Sequence, residues 1–237
     1  ELGKLTGNEY VVKTIVTTEL LFEIAKKYNV DRYDVLTGFK YIADKILELE
    51  GKKQFIGGGE ESYGYLAGEF VRDKDAVIAC SLIAEAAAWA AGKGKTMYQL
   101  LTDIYLQYGY YQEALVNVVK EGKSGAEEIQ KMMDDYRNDP PMIINGSSVV
   151  MIKDYLTQKC SNFEDNSETS IDLPKSNVLQ FFLEDGSKIS IRPSGTEPKI
   201  KFYFGVKEGF RGTEALDNAK KAALDKIEAI KKDMKLV

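Results

Sequence analysis

Apolar and polar positions alternate in one rhythm over the first half of the chain and in another over the second. In the first half, the β-rich Tyr10–Val16 precedes a helical stretch over Glu19–Tyr28, which Thr18 can cap and Asn29 can end. A short strand over Asp34–Leu36 follows, then Thr37-Gly38. Apolar spacing at Phe39, Ile42, Ile46 and Leu49 predicts a helix that Gly51 stops. Gln54–Ile56 predicts another short strand, running into Gly57-Gly58-Gly59. Asp75 can cap an Ala-rich helix that ends at Gly92, and Thr96-x-x-Gln99 forms a capping box for a helix ended by Gly109. Strand and helix signals in alternation imply a three-layer α/β/α domain with a parallel or mixed sheet over residues 1–109.

Strands dominate the second half. Tyr111–Val119, Val149–Ile152, Val178–Leu183, Lys188–Ile191 and Ile200–Val206 all carry strand patterns, and Asp185-Gly186 is a hairpin signal between two of them. Glu127–Tyr136 is helical and stops before Pro140-Pro141. Glu214–Met234 is amphipathic, apolar at Ala219, Ala222, Ala223, Ile227 and Ile230. The polar stretch 161–174 is expected to be a mobile loop. Residues 110–237 therefore predict an α+β domain, an antiparallel sheet backed by helices in a TBP-like arrangement.

Composition narrows the chemistry. The 237 residues carry a formal net charge of −5 and no histidine, which removes imidazole triads, shuttles and metal ligands. Any anion site must be a local arrangement within an acidic protein. Cys80 and Cys160 form no CxxC pattern, so neither a disulfide framework nor a zinc site is expected, and reduced thiols suggest a cytoplasmic protein. The longest apolar stretch, Ala76 to Ala91, contains Ser81 and Glu85 and falls short of the roughly 20 residues that span a bilayer. It predicts a buried helix, and no membrane partner.

Three loops can carry chemistry. Thr37-Gly38-Phe39-Lys40 and Gly57-Gly58-Gly59-Glu60-Glu61-Ser62-Tyr63-Gly64 follow strand signals, and in open parallel sheets ligands bind at the carboxyl ends of strands. Carboxylates there suit the hydroxyl donors of a sugar; the same residues also fit a flexible glycine turn with solvated glutamates. Arg72-Asp73-Lys74-Asp75 is a charged helix entrance from which Lys74 can reach a ligand as a cation or proton donor. Arg192-Pro193-Ser194-Gly195-Thr196-Glu197-Pro198-Lys199 is more pointed. It offers a guanidinium fork, two hydroxyl donors, a glycine able to let backbone N–H groups converge on an anion, and the added charge of Lys199 and Lys201. A plain proline-glycine hairpin turn is the alternative.

Taken together and in this order, these segments resemble the α-D-phosphohexomutases. Gly59-Glu60-Glu61-Ser62 is similar to their GEES-type sugar loop, and Arg192 to Lys199 to their phosphate loop. The Thr37-Gly38-Phe39-Lys40, Arg72-Asp73-Lys74-Asp75 and Tyr108-Gly109-Tyr110 segments match further parts of that pattern. The resemblance covers essentially the whole chain. It is closest to the branch of bacterial α-phosphoglucomutases and phosphopentomutases rather than to phosphomannomutases with GEMSGH-type loops.

The resemblance implies a four-domain enzyme built around a cleft. Residues 1–109 would be its third domain and 110–237 its fourth, a C-terminal fragment packing against N-terminal domains of the same enzyme. Glu60 and Ser62 would grip sugar hydroxyls, with Thr37 and Gly38 lining that pocket and Lys74 in hydrogen bonding or proton transfer. Arg192, Ser194, Gly195 and Thr196 would hold the non-reacting phosphate. Lys201 stands near the place where many members have an arginine, keeping the charge but not the fork. The implied reaction interconverts glucose 1-phosphate and glucose 6-phosphate, with glucose 1,6-bisphosphate as intermediate and activator. The TASHNP-type phosphoserine loop and the DGDGDR-type loop that binds Mg2+ do not occur here, so no metal ligand is expected in this chain, which alone should be inactive. Phosphopentomutase or phosphomannomutase activity, or a non-catalytic phosphosugar-binding role, are the alternatives. A nucleic-acid module is disfavoured, because Lys220, Lys221, Lys226, Lys231, Lys232 and Lys235 alternate with Asp217, Asp225, Glu228 and Asp233.

Overall fold

A computed structural model describes residues 4–120, 122–195, 197–212 and 215–236, with residue 123 described by its backbone alone. The chain forms two compact units, residues 1–108 and 109–237.

The first unit runs β1 (Glu9–Thr14), α1 (Leu20–Lys27), β2 (Asp31–Val35), α2 (Phe39–Leu49), β3 (Gln54–Gly59), β4 (Tyr65–Ala67), α3 (Ala76–Gly92) and α4 (Met97–Tyr108). Its four-stranded sheet has the order β2-β1-β3-β4. β1 pairs in parallel with β2 and β3, and β4 closes the edge antiparallel to β3, so the sheet is mixed. The periodicity of α2 explains its packing. Phe39, Ile42, Ile46 and Leu49 lie on one stripe and bury against Tyr10, Val12, Val35, Phe55 and Leu66 of the sheet. Each such side chain removed from water contributes roughly 1.5–3 kcal/mol. On the other face Lys13 is buried, and its ammonium reaches Asp34 at 2.7 Å, Glu19 at 3.1 Å and the Phe22 ring centre at 4.2 Å.

Two expectations need correction here. Gly57–Gly59 belong to strand β3, not to a flexible turn. A side chain on Gly58 would come within 2.6 Å of the Val12 carbonyl oxygen, so glycine is required for strand packing. The Ala-rich helix α3 is not a buried helix. Asp75 caps it, accepting from the N–H groups of Val77 and Ile78, but only Ala90 along it is buried, and Val77 is 78% and Ile83 62% exposed. Apolar residues surround this helix on all sides, so periodicity offered no outer face. Among the described residues no single helix is long and apolar enough to cross a membrane; α3 and α4 qualify only together and meet at 85°.

The second unit runs β5 (Tyr110–Val119), α5 (Gly122–Asn138), β6 (Ile143–Ile144), β7 (Ser147–Asp154), β8 (Lys159–Asn162), β9 (Ser167–Ser170), β10 (Leu179–Leu183), β11 (Lys188–Pro193), β12 (Lys199–Glu208) and α6 (Leu216–Asp233). The strands form an antiparallel sheet of order β5-β12-β11-β10-β7-β8-β9, with β6 paired to β7. Helices α5 and α6 bury Met133, Ala223, Ile227 and Ile230 against Phe181, Ile191, Phe202 and Phe204 of the sheet. Tyr136 of α5 packs on the rings of Phe181 and Phe202 at 6.3 and 6.1 Å. The stretch 161–174 is not a mobile loop, since most of it forms the β8–β9 edge hairpin. Its side chains are polar and its outer strand is exposed on both faces, so no alternation marked it.

Candidate functional site

In the first unit, β2 and β3 both run parallel to β1 and end on the same edge of the sheet. Thr37 and Gly38 follow β2, and Gly38 stands at the head of α2. The loop after β3 is a tight hairpin in which the Glu60 N–H donates to the Gly64 carbonyl at 2.8 Å. Its two glutamates have different roles. Glu61 turns back, and its carboxylate accepts from the hydroxyls of Thr14 at 2.9 Å and Thr17 at 3.2 Å. Thr14 ends β1 and Thr17 follows it, so Glu61 ties the loop to the central strand. Glu60 stays on the open side, 3.4 Å from the Ser62 hydroxyl.

Lys74 joins this group. A methyl placed on Gly64 would lie 2.8 Å from the Lys74 Cδ and 3.1 Å from the Glu60 carboxylate, so both side chains converge on the space above Gly64. The Lys74 ammonium lies 5.1 Å from the centre of the Phe39 ring, at the start of α2, and 3.1 Å from Asp73. A hydrogen bond from the Lys74 backbone N–H, reinforced by its ammonium, holds the Asp73 carboxyl below the usual range. Thr37, Gly38, Glu60, Ser62 and Lys74 thus belong to one edge, with carboxylate, hydroxyl and ammonium within reach of a polyhydroxyl ligand. Tyr63, at the hairpin tip, is fully exposed at φ +67, a conformation that bulky residues seldom adopt. Only its place beside Ser62 marked it in the sequence.

In the second unit, Arg192 and Pro193 end β11, and the loop to β12 is closed by Ser194 N–H donating to Lys199 C=O at 2.8 Å. Arg192, Ser194 and Gly195 line a groove of about 740 Å³ together with Gly122 and Ala126 of α5, and with Ser176 and Asn177. Thr196 lies outside the described residues. Gly195 takes no left-handed φ, and a side chain there would meet nothing within 4 Å. Its contribution among the described residues is open space beside the loop. Lys201 sits opposite Arg192 in the β11–β12 ladder and does not line the groove. Glu197 does line it, but its carboxylate is engaged by Lys199, which holds its pKa below the usual range.

The α5 wall was missed in sequence because Gly122 and Gly125 are poor helix formers, so the helix was expected to begin at Glu127. The first turns of a helix direct unpaired N–H groups outward, and no acidic side chain stands in the first turn of α5. Ser176 and Asn177 were missed because nothing local marks them. The groove can hold a multiply charged oxyanion. No group of His, Cys, Asp or Glu among the described residues is placed to hold a metal ion, so Mg2+ has no fitting site there.

Residues 1–108 match the family model for the phosphoglucomutase/phosphomannomutase alpha/beta/alpha domain III, and residues 115–223 match the model for the C-terminal domain of the same family. A phosphoglucomutase of Staphylococcus haemolyticus (strain JCSC1435) is 39% identical over 206 residues, covering 87% of this chain and 37% of that protein. One from Staphylococcus aureus (strain MRSA252) is 41% identical over 197 residues, covering 83% of this chain and 36% of that protein. The chain thus spans little more than a third of the length of these relatives. The open form of pp63/parafusin, a phosphoglucomutase from Paramecium, superposes with a TM-score of 0.60 at 20% identity, over 93% of this chain and 38% of that one. A putative phosphomannomutase from Thermus thermophilus gives 0.58 at 15% identity, over 97% and 36%. These two likenesses concern the fold alone.

Proposed function

The chain belongs to the phosphoglucomutase/phosphomannomutase family, and from that premise we propose that it supplies the sugar grip and the distal-phosphate grip of a phosphoglucomutase-type enzyme. The enzyme would interconvert glucose 1-phosphate and glucose 6-phosphate through a bisphosphorylated sugar. The observation that carries this reading is the groove, where Arg192, Ser194 and the first turns of α5 converge. A guanidinium and a hydroxyl beside helix N–H groups match the oxygens of a phosphate monoester.

Glu60 and Ser62 accept from and donate to sugar hydroxyls, and Lys74 hydrogen-bonds the ligand or passes it a proton. Phosphoryl transfer depends chiefly on positioning and on neutralising charge. Binding energy from a phosphate remote from the reacting bond lowers the chemical barrier when it holds the reacting end in line. That is the part these two units would play. The phosphoryl donor and the Mg2+ ligands would come from other domains, against which the exposed apolar face of α3 is suited to pack.

The test is a titration of the chain with glucose 6-phosphate, inorganic phosphate and glucose, followed by NMR. Shifts at the β11–β12 loop that vanish in Arg192→Ala support the reading. Equal binding of phosphate by the wild type and Arg192→Ala would overturn it. Mutase turnover by the pure chain would overturn the division of labour proposed here.

A further inference from the structure

Beside Arg192, the groove is lined by Asn177, whose side chain is held from behind. Arg137 of α5 donates from Nη2 to Asn177 Oδ1 at 2.8 Å. A guanidinium has only donors, so the amide face turned towards Arg137 must be the carbonyl. The NH2 face is left pointing away from Arg137, and it meets no acceptor among the described residues. Arg137 is itself fixed. Its Nε donates to Asp154 Oδ2 at 3.1 Å, and Asp154 also accepts from the Thr157 hydroxyl at 2.8 Å and the Leu156 N–H at 3.0 Å. Both side chains of that ion pair are largely buried, at 15% and 11% exposed, so the support is stiff. An asparagine whose flip is dictated by a braced arginine is a preset donor.

We infer that Asn177 is a further phosphate-binding residue, donating its side-chain amide to the oxyanion that the Arg192 loop holds, with Arg137 and Asp154 as its positioning residues. The inference rests on the phosphate reading of the groove. Asn177 adds a donor without adding charge, and it approaches from the β10 side, away from the β11–β12 loop. Donors from separate elements fix the orientation of a tetrahedral group, where one loop alone fixes only its location.

The experiment is a titration of the chain with inorganic phosphate, read by 15N-edited NMR of backbone and side-chain amides. Four variants are compared: Arg192→Ala, Asn177→Ala, Asn177→Asp and Arg137→Lys. In the wild type the Asn177 side-chain NH2 protons shift on addition of phosphate. Asn177→Ala weakens binding about tenfold, the usual scale of a hydrogen bond to a charged group. Asn177→Asp, nearly isosteric and able to keep its Arg137 bond, weakens it further. Arg137→Lys weakens binding and broadens the Asn177 amide response, because an ammonium cannot hold Asp154 and Asn177 in one plane. If Arg192→Ala abolishes binding while Asn177→Ala binds within about twofold of the wild type and the Asn177 amide protons do not move, the inference is overturned and the groove stands. If Arg192→Ala binds phosphate like the wild type, the groove reading falls and the inference falls with it.

Discussion

Gly58 and Gly64 flank the same hairpin, and alanine at each should separate scaffold from site. At Gly58 the new methyl would lie 2.6 Å from the Val12 carbonyl oxygen, against an ordinary contact of at least 3.4 Å. The obstacle is backbone in the β1–β3 ladder, so the strands must move apart by about 0.8 Å. That stretches ladder hydrogen bonds past useful length. Overpacking of this kind costs about 1–3 kcal/mol, offset by about 0.4–1 kcal/mol from the stiffer unfolded chain. A net loss of about 1–2 kcal/mol is expected. At Gly64 the methyl meets the Lys74 stem at Cδ, 2.8 Å, and Cγ, 3.0 Å, and the Glu60 carboxylate at 3.1 Å, all in flexible side chains and none in backbone. They can swing aside, so stability should change by less than about 0.5 kcal/mol. The sugar grip should nevertheless be lost, because the groups that swing are the ones proposed to bind. Urea unfolding followed by Trp89 fluorescence reports on the first unit, since Trp89 is the chain's one tryptophan. Glucose 6-phosphate shifts at Glu60 and Ser62 report on the site. Equal destabilisation by both variants, or an unchanged sugar response in Gly64→Ala, would refute the reasoning.

Asp75→Ala removes the cap from α3 and should cost about 1 kcal/mol, with faster amide exchange at Val77 and Ile78. Gln180 links the buried hydroxyls of Tyr155 and Ser190, each at 2.7 Å; Gln180→Ala should lower the stability of the second unit by about 2–4 kcal/mol, read by urea unfolding followed by circular dichroism. Glu9 accepts from the Thr6 N–H and hydroxyl and the Gly7 N–H, which lower its pKa from 4.5 to about 2. A carboxyl depressed in the folded state contributes stability that is complete above its unfolded pKa and is lost as pH falls through the folded one. The first unit should therefore weaken between pH 4.5 and 2, and Glu9→Gln should flatten that part of its urea midpoint against pH.

Legibility in the sequence followed from how local the governing physics is. Helix α2 starts at Phe39 and ends at Leu49 as its apolar spacing predicts, because one face meets one sheet. The capping box of α4 forms reciprocally, Thr96 N–H to Gln99 at 2.7 Å and Gln99 N–H to Thr96 at 3.2 Å. The Asp185-Gly186 turn joins β10 to β11, with Gly186 at φ +83. Strand β3 ran longer than expected because its glycines answer to a neighbouring backbone, which no single-strand pattern records. Chemically Glu61 and Glu60 are alike, and only the family resemblance singled out Glu60 in sequence. Only Thr14 and Thr17, some forty residues away, decide which of the two is tied down. A similar distance in sequence, 40 residues, hid Asn177 from Arg137.

The proposed site for a phosphate dianion, in a chain of net charge −5, looks like a contradiction until the range of charge is considered. At physiological ionic strength exposed charges are screened over about 8 Å, so an arriving phosphate responds to the groove and little else. Among the described residues that line the groove, the charges are either positive or neutralised. Arg192 is a permanent cation, α5 opens with no acid in its first turn, and Glu197 is paired with Lys199. Acidic residues elsewhere then have a different consequence. They would disfavour broad binding of other polyanions across the surface, while the groove, on the proposed reading, would take a single small oxyanion that fits its donors. On the proposed reading, selectivity for a phosphorylated small molecule over a nucleic acid would follow from that division between a local field and a global charge.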